Sequence, residues 1–229
     1  MATRGLAIAG PYALIPELAR QAEARGFDAV WLSEVNQESF VQSTVVVQAT
    51  ERVDVGTNIT LAFPRSPTVS AMAAWDLNEL SGDRFILGLG SQVRRIVEDR
   101  FSSEFAQPAK RMGEYIQAMR AVWGMNLGED TTFDGELYRM LHPGLGTRPD
   151  PNRRLPRTYV AAVGPLMTKV AATYADGLLG HPFTSLNYLR DEVVPRIEAG
   201  LEQAGRARRL HALQRLDHRD RRGPRRRGP

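Results

Sequence analysis

The sequence predicts an α/β fold of the (β/α)8 TIM-barrel type, incomplete, with about six βα units. Through the first 205 residues, short apolar runs alternate with segments whose apolar residues recur at helical spacing. Glycine and polar residues follow the carboxyl ends of five of the six predicted strands. Barrel enzymes build their sites at that face, whereas open sheets concentrate them at one switch point, so the barrel is favoured.

The first half of the chain contains four predicted strands, at residues 6–9, 29–32, 53–61 and 85–89. Between them lie three predicted helices, at residues 14–25, 40–50 and 68–80. The first helix is closed by Gly26, just past its end. The fourth strand is apolar from Phe85 to Leu89 apart from one glycine, which is typical of a strand buried on both faces of a parallel sheet.

The second half continues the alternation after an interruption. A long helix carries an apolar stripe from Met112 to Trp123. Residues 124–157 form a predicted insertion before strand five, with a hairpin around Asp134-Gly135. The remaining predicted elements are a strand at 159–163, a helix at 166–174, a strand at 177–179 and a helix at 186–204 with a start or kink at Pro195.

Composition excludes several kinds of site. The chain has no cysteine, and its four histidines lack the spacing of a metal-binding motif. No apolar run is long enough to span a membrane, and the N-terminus lacks the pattern of a secretion signal. We therefore predict no metal site, no membrane association and a cytoplasmic protein.

The net charge of +4 comes from the C-terminus. Residues 206–229 contain ten arginines and two aspartates, which leaves residues 1–205 with a net charge of −4. We therefore predict one barrel domain over residues 1–205 and a disordered, Arg-rich tail over residues 206–229. A basic tail can bind nucleic acid through phosphates, but no aromatic or structured segment accompanies it, so nucleic acid is a disfavoured partner.

Several short motifs follow one another in a fixed order along residues 5–205. They are Ala22-Glu23-x-x-Gly26-Phe27-Asp28-x-x-Trp31, Thr50-Glu51-Arg52-Val53-x-Val55-Gly56-Thr57, Ser81-Gly82-x-Arg84-Phe85-x-Leu87-Gly88-Leu89-Gly90, Tyr159-Val160-Ala161-Ala162-x-Gly164-Pro165 and Ala175-Asp176-Gly177. Each motif is weak alone, but the ordered set is specific. The chain resembles the luciferase-like monooxygenase superfamily, and most closely its branch of oxidoreductases that use the deazaflavin coenzyme F420.

The resemblance implies a (β/α)8 barrel with an insertion before strand five, and F420 as the cofactor, with FMN as the alternative. It implies that the flat ring lies against a bulge of strand three that contains a non-proline cis peptide, at Asn58-Ile59. It assigns the other cofactor contacts to Gly90, Ser91, Gln92, Ala162, Val163, Gly164 and Pro165. Of these, Ala162, Val163 and Gly164 are implied phosphate contacts, and Gly164-Pro165 opens a helix whose N-terminus attracts phosphate.

Two residues are candidates for a catalytic role in proton transfer. Glu34 ends a buried strand, where a carboxylate is either functional or part of an ion pair with an arginine. His181 follows the sixth strand and either acts on a phosphate or a proton or is an ordinary loop histidine. Relatives often carry a histidine after the acidic residue, where this chain has Val35, and some carry a glutamate beside the glycine segment, where it has Val93.

These observations predict an oxidoreductase that transfers a hydride between F420 and an unidentified small organic substrate, as a homodimer. An FMN-dependent luciferase-like monooxygenase is the alternative enzyme. The resemblance also implies two further βα units beyond residue 205, so the Arg-rich tail is interpreted as a truncated or out-of-frame ending. On that interpretation the chain is alternatively a non-catalytic remnant that acts only through subunit association.

Overall fold

A parallel sheet of six principal strands forms the centre of the protein. The structure, a computed structural model, describes residues 4–142 and 150–206. The strands are β1 (Gly5–Ala7), β2 (Ala29–Leu32), β3 (Asp54–Thr57), β4 (Thr60–Leu61), β5 (Phe85–Gly90), β6 (Phe133–Asp134), β7 (Arg139–Met140), β8 (Arg157–Ala161) and β9 (Gly177–Leu179). The principal strands are parallel in the order β1-β2-β3-β5-β8-β9, and the short β4 pairs with β5.

Helices connect the strands. They are α1 (Ile15–Ala24), α2 (Ser39–Ala49), α3 (Pro67–Leu80), α4 (Arg94–Phe101), α5 (Pro108–Leu127), α6 (Pro165–Tyr174), α7 (Leu186–Tyr188) and α8 (Val194–Gln203). Because each principal strand pairs in parallel with the next one along the chain, the described residues form six consecutive units of a (β/α) barrel. This confirms the predicted fold class.

Several predicted elements differ from the observed ones, among them strand five, predicted at residues 159–163 and observed at Arg157–Ala161. The third strand is interrupted between Thr57 and Thr60, and the peptide bond Asn58-Ile59 within this interruption is cis, as the resemblance implies. Helix α4 was not predicted, because Val97 is its one buried residue and no apolar stripe marks it. The insertion begins later than residue 124, because α5 continues to Leu127.

The predicted hairpin within the insertion is confirmed. Strands β6 and β7 are antiparallel, with Phe133 opposite Met140. The turn between them lies against α5, where the carboxylate of Glu114 accepts the backbone N–H groups of Leu137 at 2.7 Å and Tyr138 at 3.2 Å. The hairpin therefore runs back along α5 towards its first turns.

The predicted irregularity at Pro195 is also confirmed. A π-helical turn at Leu189–Val193 joins α7 to α8, and Pro195 lies in the first turn of α8. Proline has no N–H to donate, so a position at the start of a helix suits it.

The two faces of the sheet are packed differently. Side chains such as Leu32, Val55 and Leu87 are fully buried in the main core, which the helices share. The inner face has a smaller cluster around Trp31, whose ring lies 6.2 Å from that of Tyr159. Each ring fills the space left by a glycine, since a Cβ at position 56 would lie 2.4 Å from Trp31 and one at position 177 would lie 2.6 Å from Tyr159.

No helix among the described residues is long and apolar enough to cross a membrane. Residues 207–229, which contain nearly all of the Arg-rich tail, lie outside the described residues. The predicted division into a barrel domain and a tail therefore stays a prediction.

Candidate functional site

A cleft opens at the carboxyl ends of β3, β5, β8 and β9. Its volume is about 460 Å³, within the range of small-molecule sites. It is lined by Asn58, Ile59, Gly90, Ser91, Gln92, Val93, Ala161, Ala162, Val163, Leu179, Gly180, His181 and Pro182. Seven of the nine predicted cofactor-binding residues are among them, together with His181.

One wall of the cleft is formed where Asn58-Ile59 meets Gly90. A Cβ on Gly90 would lie 1.9 Å from Cδ1 and 3.0 Å from Cγ1 of Ile59, so the two residues are in direct contact. Gly88 is needed for another reason, since a Cβ there would lie 1.8 Å from the carbonyl oxygen of Thr57. Glycine at 88 therefore allows β3 and β5 to approach, whereas glycine at 90 leaves room for Ile59 beside the cleft.

The segment after β5 turns sharply at the cleft. Gln92 has a φ of +57°, a left-handed conformation that is uncommon for residues other than glycine. Its Oε1 accepts the N–H of Val93 at 3.0 Å, and Ser91 Oγ donates to the carbonyl of Gln92 at 3.2 Å. Local strain of this kind clusters at functional sites, where the surrounding structure fixes it.

His181 is the titratable side chain of the cleft. Of the described residues that line it, His181 alone has an ionisable side chain. Its Nδ1 accepts the backbone N–H of Phe183 at 3.3 Å, so the neutral ring carries its proton on Nε2. The ring also lies 5.3 Å from the ring of Phe183 and is exposed to solvent.

Glu34 forms an ion pair with Arg65, which is one of the two roles predicted for it. Its Oε1 lies 2.5 Å from Arg65 Nη2, and its Oε2 lies 3.0 Å from Arg65 Nη1. Oε2 also accepts the backbone N–H of Leu61 at 2.8 Å. Glu34 lies behind the Asn58-Ile59 wall and is not among the residues that line the cleft. A role for Glu34 in proton transfer stays a prediction.

Gly164 and Pro165 are not brought into this cleft. They line a neighbouring groove of about 460 Å³ between the starts of α5 and α6, together with Gln107 and Pro108. Pro165 is the first residue of α6, so the helix N-terminus, where phosphate binding is favoured, lies at the groove. Val163, which lines the cleft, directly precedes this pair in the chain.

Sequence reasoning missed two residues that shape the wall. Arg65 lies 31 positions from its partner Glu34, and its one signal is an arginine shortly after strand three. Thr57 Oγ1 both accepts the N–H of Gly88 and donates to its carbonyl oxygen, each at 2.9 Å. The signal for Thr57 is weak, because threonine is ordinary in strands.

The cleft is nearly uncharged. Burial raises the pKa of the Tyr159 phenol, which therefore stays neutral at physiological pH. The side chains that line the cleft are apolar or are neutral amides and hydroxyls, apart from His181. The arrangement can therefore hold a flat, mostly apolar ligand and exchange a proton at one point.

The sheet order and the position of the cleft define this protein as a (β/α)-barrel protein with its candidate site at the usual face. The chain belongs to the luciferase-like monooxygenase family, whose sequence model matches residues 2–215. The resemblance of the motifs to that superfamily is therefore confirmed.

The chain spans about 60% of the length of the curated relatives it matches. An uncharacterized protein of Mycobacterium tuberculosis is 40% identical over 201 residues, which cover 84% of this chain and 59% of that protein. The F420-dependent glucose-6-phosphate dehydrogenase of Amycolatopsis mediterranei is 30% identical over 209 residues, covering 85% and 61%. A solved F420-dependent secondary alcohol dehydrogenase, in complex with an F420-acetone adduct, has the same fold, with a TM-score of 0.77 at 23% identity, covering 90% of this chain and 66% of that one.

Proposed function

We propose that this protein is an oxidoreductase that transfers a hydride between coenzyme F420 and a small organic substrate. The observation that carries the proposal is the cleft at the ends of β3, β5 and β8, where seven residues that the resemblance assigns to the cofactor meet. Membership of the luciferase-like monooxygenase family supports it. Similarity to an F420-dependent glucose-6-phosphate dehydrogenase supports the choice of cofactor.

The chemistry of the lining fits the deazaflavin ring. Ile59 and Ala161 offer an apolar surface, and Gly90 adds no side chain between them. Ser91 and Gln92 supply polar groups at the edge of that surface. We assign the flat ring to the Ile59 wall, because a planar, mostly uncharged ligand needs a flat apolar contact with a few polar groups around it.

The phosphate of the coenzyme is assigned to the start of α6. Gly164 and Pro165 lie there, immediately after the lining residue Val163. The ten residues of α6 give its N-terminus the partial positive charge that favours an anion. This assignment puts the ring at the Ile59 wall and the phosphate at the start of α6, which follows β8.

When bound, F420 supplies a two-electron hydride carrier. The chain orients the ring, restricts water and exchanges one proton with the substrate. His181 is the group we assign to that exchange, because its Nε2 carries the proton in the neutral ring and its exposure allows exchange with solvent. Glu34 is the other candidate, but both of its oxygens are engaged by Arg65.

Anaerobic titration with oxidised F420 and, in parallel, with FMN tests the proposal. Absorbance and fluorescence report binding, and a circular dichroism melt of the same sample reports folding. We expect F420 to bind more tightly than FMN. Preferential FMN binding would favour the alternative monooxygenase, and a folded protein that binds neither would favour a non-catalytic role in subunit association.

A homodimer and a cytoplasmic location complete the proposal and stay predictions. Light scattering coupled to size-exclusion chromatography measures the first, and fractionation of the native host measures the second. A monomer at micromolar concentration would contradict the predicted oligomeric state without bearing on the cofactor.

A further inference from the structure

A partly buried charged cluster lies behind the Ile59 wall. It consists of Glu34, Arg65 and Glu38, with Arg65 Nη2 only 2.6 Å from Glu38 Oε1. The side chains of Glu34 and Arg65 are 7% and 16% exposed. Arg65 also lies over the ring of Phe40, at 5.6 Å from its centroid. Such a cluster needs a reason, because withdrawing charges from water is costly.

The end of β2 holds the backbone of the wall from one side. Ser33 Oγ donates to the carbonyl oxygen of Asn58 at 2.8 Å. The backbone N–H of Glu34 donates to the carbonyl oxygen of Ile59 at 3.2 Å. Both carbonyl groups of the wall segment are therefore fixed by consecutive residues of one strand end.

The charged cluster holds the same segment from the other side. The Glu34 carboxylate accepts the N–H of Leu61 at 2.8 Å, and Arg65 Nη1 donates to the carbonyl of Leu61 at 3.0 Å. Leu61 follows Ile59 by two residues and is 1% exposed. The pair of charged side chains therefore replaces water as the partner of both polar groups of this buried residue.

The charge of Arg65 is well maintained. Burial alone would lower the pKa of its guanidinium, but the Glu34 and Glu38 carboxylates outweigh burial and raise the pKa above its usual range. The two hydrogen bonds between Arg65 and Glu34 form a fork, a geometry that fixes direction as well as distance.

These contacts leave Glu34 poorly suited to exchange protons with a ligand. Each carboxylate oxygen already accepts from Arg65, and Oε2 also accepts from Leu61. Neither Glu34 nor Arg65 is among the described residues that line the cleft. Their effect on a ligand must therefore be transmitted through the backbone between Asn58 and Leu61.

We propose that Glu34 and Arg65 are positioning residues that fix the Ile59 wall at the distance a flat redox ring requires. The proposal rests on the proposed function, since the ring is that of F420. A site holds its ligand well only when a second layer of contacts fixes the first, so loosening this pair weakens ring binding without removing any group that touches the ring.

Two variants test the proposal. Glu34→Gln removes the charge and keeps the shape, and Arg65→Lys keeps the charge and removes the fork. For each variant the Kd for oxidised F420 is measured by fluorescence, and the visible circular dichroism of the bound coenzyme reports how the ring is held. We expect the Kd to rise about tenfold or more in both variants, with an altered dichroism band, because small misplacements of a site have large effects.

A matched ion pair elsewhere in the barrel provides the control. Arg157 and Asp54 form a similar fork, with hydrogen bonds of 2.9 and 2.8 Å, at the opposite end of the strands. Asp54→Asn breaks that fork and lowers the melting temperature, but it leaves the Kd for F420 and the dichroism band unchanged. A loss of affinity that merely followed lost stability would appear in this control as well.

The double variant tests whether Glu34 and Arg65 act through the same wall or independently. If Glu34 and Arg65 act through the same wall, Glu34→Gln combined with Arg65→Lys raises the Kd no further than the worse single variant. If the wild-type protein binds F420, and Arg65→Lys and folded Glu34→Gln bind it with the same Kd, the positioning role is overturned but the proposed function is not. Absence of F420 binding to the wild-type protein overturns the proposed function and, with it, this proposal.

Discussion

Replacing Gly90 with alanine tests how tightly the cleft wall is packed. The added Cβ would lie 1.9 Å from Cδ1 of Ile59. Carbon atoms need about 3.5 Å, so the tip of Ile59 has to retreat by about 1.6 Å. Rotation of the tip is not enough, because Cγ1 and Cβ of Ile59 lie at 3.0 and 3.2 Å from the same point. Overpacking of this kind costs about 1–3 kcal/mol, and we expect about 2 kcal/mol here.

Urea unfolding followed by far-ultraviolet circular dichroism measures this loss. We expect Gly90→Ala to lower the midpoint without changing the slope, since the surface exposed on unfolding stays the same. Because Ile59 lines the cleft, the same variant should also raise the Kd for F420 in the fluorescence titration.

Two other glycines calibrate the result. A Cβ on Gly164 would meet nothing within 4 Å, so Gly164→Ala should cost only the poorer N-cap of α6, about 0.5–1 kcal/mol and less than Gly90→Ala. Gly88→Ala should be more damaging than Gly90→Ala, because its obstacle is a backbone oxygen that cannot rotate away. Wild-type stability in Gly90→Ala would refute the packing argument.

Three further substitutions probe hydrogen bonds that support the barrel. Thr57→Val removes both 2.9 Å contacts with Gly88 and should lower the free energy of unfolding by about 2 kcal/mol in urea, and no change would show that these buried groups find other partners. Burial would raise the pKa of Glu23, but backbone N–H groups just before β3 outweigh burial and hold the pKa below its usual range. Glu23→Gln should therefore cost about 1 kcal/mol at pH 7, a difference that disappears as the pH falls through the lowered pKa of the carboxyl; a pH-independent difference in melts would contradict this. Arg84→Lys should lower stability by about 2 kcal/mol, because the guanidinium donates to the carbonyl of Val53 at 2.5 Å and to three other carbonyls; an unchanged melting temperature would contradict this.

Strands of the sheet could be predicted where the sequence has an uninterrupted apolar run. The strand Phe85–Gly90 is buried at every residue, so its apolar run has no competing explanation. Gly177–Leu179 was predicted with its observed bounds for the same reason. Helix α4 was missed because it has a single buried residue. Its other contacts are i,i+4 ion pairs, Arg94 with Glu98 and Arg95 with Asp99. Such a helix has almost no apolar pattern to detect.

The candidate site was predicted in part because motif residues close together in the chain stay together in space. Ser91 and Gln92 follow Gly90 and reach the cleft with it. The pairing of Glu34 with Arg65 joins residues 31 positions apart, and composition does not specify which arginine a carboxylate meets. The separation of Pro165 from the cleft depends on where α6 begins relative to α5, which is a matter of helix packing rather than of sequence pattern.

The rings of Trp31 and Tyr159 have a consequence for how this barrel tolerates change. Each occupies volume that a neighbouring strand gives up, at Gly56 and at Gly177. The two positions of each pair therefore behave as a single steric unit: a larger residue at 56 is compatible with the fold only when position 31 shrinks in compensation. Single substitutions at these positions should therefore be destabilising. Double substitutions that enlarge one residue of a pair and shrink the other should be tolerated better.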